Sequence, residues 1–353
     1  MHRRLPIYFL IDVSESMVGE QILGVQDGMA SIIKSLKTDP YALETVYISI
    51  VIFAGKAKVI TPLSDIISFY PPKFSIGSGT SLGAGLELLM QEMKKNQVPT
   101  TADTKGDWKP IVFLFTDGAS TDDTRHAFNT WKNTWQGKAN LVAVAFGDNA
   151  VVQELSTLTE NVFLFNNATV DSYKSFFKWV TASIQVSSIG VERGTDSFGL
   201  AKIDAGTVEK IDLGKGNQAK AGKFDTNFAI FMGMCQNTHV QYLIKYRKQI
   251  SDSDGLSEYG LSSMQYRLVG AYPIDKEYHT LSSENPQAHN ISSEELRGVP
   301  ACPSCGNQWG FAVCACGNIH CIGEETVSHC PWCGNSGTYG FGNNPINVNR
   351  KQG

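Results

Sequence analysis

Residues Ile7 to Ile11 read Ile-Tyr-Phe-Leu-Ile, an apolar run without alternation that ends in Asp12-Val-Ser14-Glu-Ser16. A strand with one wet face would alternate polar and apolar residues, so this one is expected to be covered on both faces, at the centre of a parallel sheet. Its polar residues begin where the strand stops, the edge of an open α/β sheet at which ligands bind. Asp12, Ser14 and Ser16 offer one carboxylate and two hydroxyls and no soft ligand, a donor set that suits a hard divalent cation such as Mg²⁺. The same pentapeptide also reads as a strand end followed by a helix N-cap at Ser14 or Ser16.

Two later stretches bear on that choice. Lys109-Pro-Ile-Val-Phe-Leu-Phe-Thr-Asp-Gly118 is a second buried strand ending in an acid, and Ile76-Gly-Ser-Gly-Thr-Ser-Leu-Gly83 is a glycine-rich loop whose Thr80 opens a helical pattern. The ordered set Asp-x-Ser-x-Ser, Thr, Thr-Asp-Gly resembles the metal-ion-dependent adhesion site of von Willebrand factor A domains. The resemblance spans about residues 5 to 187 and implies that Ser14, Ser16 and Thr80 ligate the metal, that Asp12 and Asp117 hold it directly or through water, and that a partner's carboxylate completes the octahedron. Two carboxylates balance Mg²⁺, the hydroxyls add no charge, and the ion retains enough Lewis acidity to take an anionic sixth ligand. Mn²⁺ or Ca²⁺ is the expected substitute for Mg²⁺.

The remaining pattern is that of repeated βα units. Ile22, Val25, Met29, Ile32, Ile33 and Leu36 form one helical face within Glu20 to Lys37, and Leu82, Leu86, Leu89, Met90 and Met93 form another within Ser81 to Lys95. Gly24 and Gly28 cost helix propensity, and close packing on the sheet is the expected reason. Val46 to Gly55 and Ala57 to Pro62 read as paired strands, Asn140 to Gly147 and Val162 to Phe165 as two more, and Tyr173, Phe176, Phe177, Val180 and Ile184 as the face of a closing helix. The expectation is an α/β, doubly wound, mostly parallel sheet in residues 1–187. In the order 3-2-1-4-5-6, Asp12 and Asp117 would flank the point where the strand order reverses.

From about Ser187 the apolar residues alternate instead: Phe228, Ile230, Met232, then Tyr242, Ile244, Tyr246, with Gln265 to Tyr272 as a third strand. Residues 188–297 are therefore expected to form a small antiparallel β unit, closed by a polar linker from Ser282 to Arg297. Cys235, the one cysteine there, reads as a small buried apolar residue.

The other seven of the eight cysteines lie between Cys302 and Cys333. In a reducing compartment such crowding points to metal, not to disulfides. Cys302-Pro-Ser-Cys305-Gly and Cys330-Pro-Trp-Cys333-Gly are two knuckles of the zinc-ribbon kind, and Cys314-Ala-Cys316-Gly-Asn-Ile-His320-Cys321 lies between them. Seven thiols and the His320 imidazole would make two four-coordinate Zn²⁺ sites; the alternative is one complete site, with Cys314 a buried strand residue. Residues 298–353 cannot bury enough apolar surface to fold unaided, so zinc is expected to staple them.

An A domain, a β segment and this cysteine pattern together resemble the TerY family of bacterial tellurium-resistance proteins. That resemblance implies a non-enzymatic protein of a stress and metal-resistance system, often associated with a protein kinase and a phosphatase. A net charge of -4 gives no electrostatic reason to expect nucleic acid. Asp12 cuts the amino-terminal apolar run far short of a signal-peptide core, and no stretch approaches a membrane span, so a cytoplasmic location is expected.

The expected function is a Mg²⁺-dependent adaptor that binds a protein partner through an acidic side chain. Two other readings compete with it. Phosphotransferases of the haloacid-dehalogenase type also start from an Asp at the end of the first strand, but need an acid two residues later, where this chain has Ser14. A nucleic-acid-binding zinc ribbon is the other.

Overall fold

The computed structural model describes residues 3–103, 105–146, 149–165, 170–192, 200–201, 209–210, 227–251, 263–284, 287–325, 327–340 and 347–352. The chain divides into two compact units, Met1–Lys223 and Phe224–Gly353.

In the first unit the elements run β1 (Leu5–Asp12), α1 (Glu20–Leu36), α2 (Pro40–Thr45), β2 (Val46–Phe53), β3 (Ala57–Asp65), α3 (Leu82–Asn96), β4 (Ile111–Thr116), α4 (Arg125–Thr134), β5 (Asn140–Phe146), α5 (Asn149–Ser156), β6 (Val162–Phe165), α6 (Val170–Glu192) and β7 (Glu209–Lys210). The sheet order is β3-β2-β1-β4-β5-β6-β7. Strand β1 is parallel to β2 on one side and β4 on the other, with Ile11 beside Phe115 and Asp12 beside Phe53. Every residue of β1 is buried, as its unalternated sequence demands. Sequence reading of the doubly wound sheet thus holds, and β7 adds a short antiparallel edge strand to it.

Each face of β1 feeds a different layer. Tyr8 and Leu10 pack with Leu86, Leu89 and Trp131 of α3 and α4. Phe9 stacks on Phe113 at 5.5 Å, and Phe115 meets the rings of Phe176 and Phe177 on α6. Gly28 has its reason here, although not the expected one. A Cβ on it would stand 2.0 Å from the Phe177 ring, so the glycine admits α6 against α1, not α1 against the sheet.

Among the helices of the first unit, α2 and α5 lie outside the sequence expectation. Asp39 follows the end of α1, and its carboxylate accepts the N–H groups of Tyr41 and Ala42, so it starts α2 with Pro40 at its first position. The boundary after residue 187 is displaced as well. Helix α6 continues to Glu192, with Ser183 and Ser187 hydroxyls bonded back to the carbonyls four residues earlier, and β7 still belongs to the first sheet.

The second unit comprises β8 (Phe228–Met234), β9 (Gln241–Ser251), β10 (Ser263–Pro273), α7 (Tyr278–Leu281), β11 (Gln287–Ser292), β12 (Leu296–Arg297), β13 (Trp309–Val313), β14 (Ile319–Ile322), β15 (Val327–His329), β16 (Ser336–Thr338) and β17 (Asn347–Gln352). Its main sheet has the order β12-β10-β9-β8-β14-β13. The expected separation at 297/298 is absent, because β14 of the cysteine segment lies parallel to β8, with Ile319 beside Gly233 and His320 beside Met234. The buried Tyr242 hydroxyl donates to the Gly310 carbonyl at 2.7 Å and ties the same two segments together. Part of the expected linker is a strand, since β11 pairs with β17.

Candidate metal centres

The end of β1 delivers Asp12 into a buried pocket of oxygens. One Asp12 oxygen accepts the Ser14 N–H at 2.8 Å and the other accepts the Thr116 hydroxyl at 2.5 Å. The Ser14 and Ser16 hydroxyls are 2.9 Å apart, and Ser16 donates to Asp117 Oδ1 at 2.7 Å. Thr80 arrives from the glycine-rich loop, which is fastened to β1 by the Gly77 N–H bonded to the Val13 carbonyl. Its backbone exchanges two hydrogen bonds with Thr121, through the Thr121 hydroxyl and N–H. A Cβ on Gly118 would lie 3.6 Å from Thr80 Oγ1 and 3.8 Å from Ser16 Oγ, so both hydroxyls border one small space.

The structure therefore brings together all five oxygen-bearing residues that sequence reading selected: Asp12, Ser14, Ser16, Thr80 and Asp117. Ser14 precedes the short turn Glu15–Met17 without a side-chain cap bond, and Ser16 lies inside that turn. Asp122 holds the frame from behind, its carboxylate accepting the N–H groups of Gly83 and Ala84 at the start of α3. Burial pushes the Asp12 carboxyl up to about 6, against the pull of its bonds from Ser14 and Thr116. A buried acid pair with three neutral hydroxyls fits a hard divalent cation, which would supply the missing positive charge.

The thiols form two groups of four: Cys235 with Cys302, Cys305 and Cys321, and Cys314 with Cys316, Cys330 and Cys333. Within the first, Sγ atoms are 3.7 Å apart for Cys305 and Cys321 and 3.9 Å for Cys321 and Cys235. Within the second, Cys314 and Cys333 are at 3.7 Å and Cys316 and Cys330 at 3.8 Å. Tetrahedral Zn²⁺ with bonds of about 2.3 Å requires edges of about 3.8 Å, so both groups fit that ion.

His320 is in neither group: its ring nitrogens face the Cys321 carbonyl at 3.0 Å and the Tyr339 hydroxyl at 2.8 Å. Burial lowers its pKa, which favours the neutral imidazole. Cys235 stands in its place and completes the first group of four thiols. At Cys302 and Cys330 the N–H donates to the carbonyl of the residue five positions on, Asn307 and Asn335, with Gly306 and Gly334 at positive φ between. Cys235 makes the same turn with Val240, and His239 takes the glycine's place at φ 58°. Thr238 stands where the other knuckles have their second cysteine, which hid the motif. The signal that was available is the count, since eight cysteines fill two four-thiolate sets with no histidine.

Comparison with known proteins agrees with this division of the chain. Residues 7–179 match the von Willebrand factor type A domain, and residues 225–353 match the TerY-C metal binding domain. No curated protein matches. Among solved structures, proximal thread matrix protein 1 from the mussel byssus is 19% identical over 51% of this chain and 48% of its own, with a TM-score of 0.37. The von Willebrand factor type A protein from Catenulispora acidiphila is 16% identical over 53% and 43%, with a TM-score of 0.38. The pilus adhesin SpaC from Lactobacillus rhamnosus GG is 14% identical over 52% and 31%, with a TM-score of 0.41. The chain thus spans less than half the length of each of these three, and likeness at that level says nothing about function. A von Willebrand factor type A domain followed by a TerY-C metal-binding domain is the TerY-type arrangement, and the chain carries both domains in that order.

Proposed function

We propose that the protein is a non-enzymatic, Mg²⁺-dependent adaptor that captures a protein partner, while Zn²⁺ at each thiolate group holds the second unit folded. The observation that carries this reading is the continuous chain of oxygens from Asp12 through Ser14 and Ser16 to Asp117, with Thr80 beside it. Such a set binds a cation and leaves it able to accept an acidic side chain from the partner. The site offers no second acid at position 14 for proton transfer, and Ser14 is bonded to Ser16 instead, which speaks against phosphotransfer from Asp12.

The two family domains support a metal-associated, protein-interaction role. The finer reading, a cytoplasmic adaptor in a tellurium-resistance and stress response with an associated kinase and phosphatase as partners, extends the family resemblance. No helix among the described residues is long and apolar enough to cross a membrane.

The test is Mg²⁺ titration by calorimetry, followed by partner capture in Mg²⁺ and in chelator. Wild type should bind Mg²⁺ and capture in its presence only; Thr80→Ala and Asp12→Ala should lose both. Capture that survives chelation and Asp12→Ala would refute the reading, and Mg²⁺-dependent hydrolysis of a phosphate ester lost in Asp12→Asn would replace it with the enzymatic one.

A further inference from the structure

We propose that the sheet of the second unit carries a binding site for a phosphomonoester, built on a row of three arginines. The register sets Arg247 of β9 directly opposite Arg267 of β10, and Arg267 directly beside Arg297 of β12. Residues paired in this way point to the same face, and neighbouring strands are about 4.8 Å apart, so three guanidinium stems rise within about 10 Å. The opposite face at this level is the core, where Tyr246 and Tyr266 are buried. All three arginines are exposed.

Like charges placed directly across strands destabilise a sheet. Among the described residues none of the three makes an ion pair. Arg297 donates to the backbone carbonyl of Glu294 and not to its carboxylate. A cavity of about 360 Å³ opens beside the row, lined by Gln249, Gln265, Arg267, Leu268, Arg297 and Gly298. Gln249 and Gln265 are themselves a cross-strand pair on the arginine face, and their amides add neutral donors to the charged ones.

The donors select the ligand. Guanidinium forks match the oxygens of phosphate in pairs, and a dianion answers a row of cations better than a single carboxylate does. Among the described residues the cavity is lined by no aromatic side chain on which a base could stack, which disfavours single-stranded nucleic acid. A phosphomonoester group, free or carried on a peptide side chain, is the class that fits. This site is separate from the oxygen site of the first unit and does not depend on its reading.

The experiment titrates the full zinc-loaded chain at low salt with inorganic phosphate, with a short phosphoserine peptide, and with the same peptide unphosphorylated. Phosphate or the phosphopeptide should bind, the plain peptide should not, and which of the two binds more tightly identifies the source. Arg267→Gln should weaken binding about ten- to a hundredfold, the loss expected for one charge-assisted pair. The same variant should raise the melting temperature of the ligand-free chain by removing the central like charge, a gain that a structural arginine would not give. Arg297→Gln, on the two-residue edge strand, provides a second variant should the first fail to fold. Absence of binding by both phosphate forms, or wild-type affinity in the glutamine variants, would overturn the proposal.

Discussion

The sulfurs of Cys235 and Cys321 lie 3.9 Å apart, although 86 residues separate them along the chain. Strand β14 runs parallel to β8 with His320 beside Met234, so Cys321 and Cys235, each one residue further on, stand side by side. The Gln236 N–H also points at the Cys321 sulfur, at 3.2 Å, as the knuckle's own amides do for a thiolate.

Zinc content should separate Cys235 from His320. Cys235→Ser removes one ligand of a buried set and should leave the purified chain with about one zinc instead of two. His320→Asn should keep both, while losing stability on the order of 1–3 kcal/mol because the Tyr339 hydroxyl and Cys321 carbonyl lose their partner. Elemental analysis of both variants decides the assignment; full zinc in Cys235→Ser and half in His320→Asn would reverse it.

Removing zinc should unfold the whole of 224–353 and not 298–353 alone. Metal binding of this kind is coupled to folding and is worth on the order of 10 kcal/mol or more. Cys302 and Cys321 lie in the same core cluster as Phe231, Ile244 and Tyr246, so the β8–β10 meander shares its fate. Hydrogen exchange after chelation should show β9 amides unprotected while β1 and β4 stay protected. Retained protection in β9 would mean that the meander folds by itself.

Stability of the Mg²⁺-free first unit should depend on pH through Asp12. Its folded carboxyl is held up to about 6 by burial, above the value of about 3.9 in an unfolded chain. The native state therefore binds the proton more tightly, and the resulting stability is fully present below about pH 4 and lost as pH rises through about 6. Asp12→Asn should flatten that fall, and added Mg²⁺ should oppose it by taking the proton's place. Melts in chelator at several pH values test this; identical slopes in wild type and Asp12→Asn would contradict it.

Gly28→Ala should destabilise the first unit by about 1–3 kcal/mol, since the new methyl meets the Phe177 ring and helix propensity returns at most about 1 kcal/mol. Ser31→Ala, three residues on and exposed, should change little, because its hydroxyl only bonds the Asp27 carbonyl on the helix surface. Equal melting temperatures for the two variants would mean that α6 can yield at this contact.

The oxygen site was legible because its residues carry their own context. Asp12 and Asp117 each end an unalternated strand, and parallel strands of one sheet share their carboxyl edge, so sequence position alone placed them together. Thr80 followed from the glycine-rich loop ahead of α3. The short helices α2 and α5 were not legible, since a turn or two of helix leaves too few residues to show a period.

Local pattern thus determined the doubly wound sheet, its five-oxygen edge and the three cysteine turns whose ligands are neighbours in sequence, because each is encoded within a few residues. Tertiary structure alone decided that Cys235 completes a thiolate set, that His320 does not, that the meander and the cysteine segment are one sheet, and that three arginines share a row. Those outcomes depend on strand pairing across many residues, and pairing is chosen by the burial of whole faces, a property no short stretch of the chain contains.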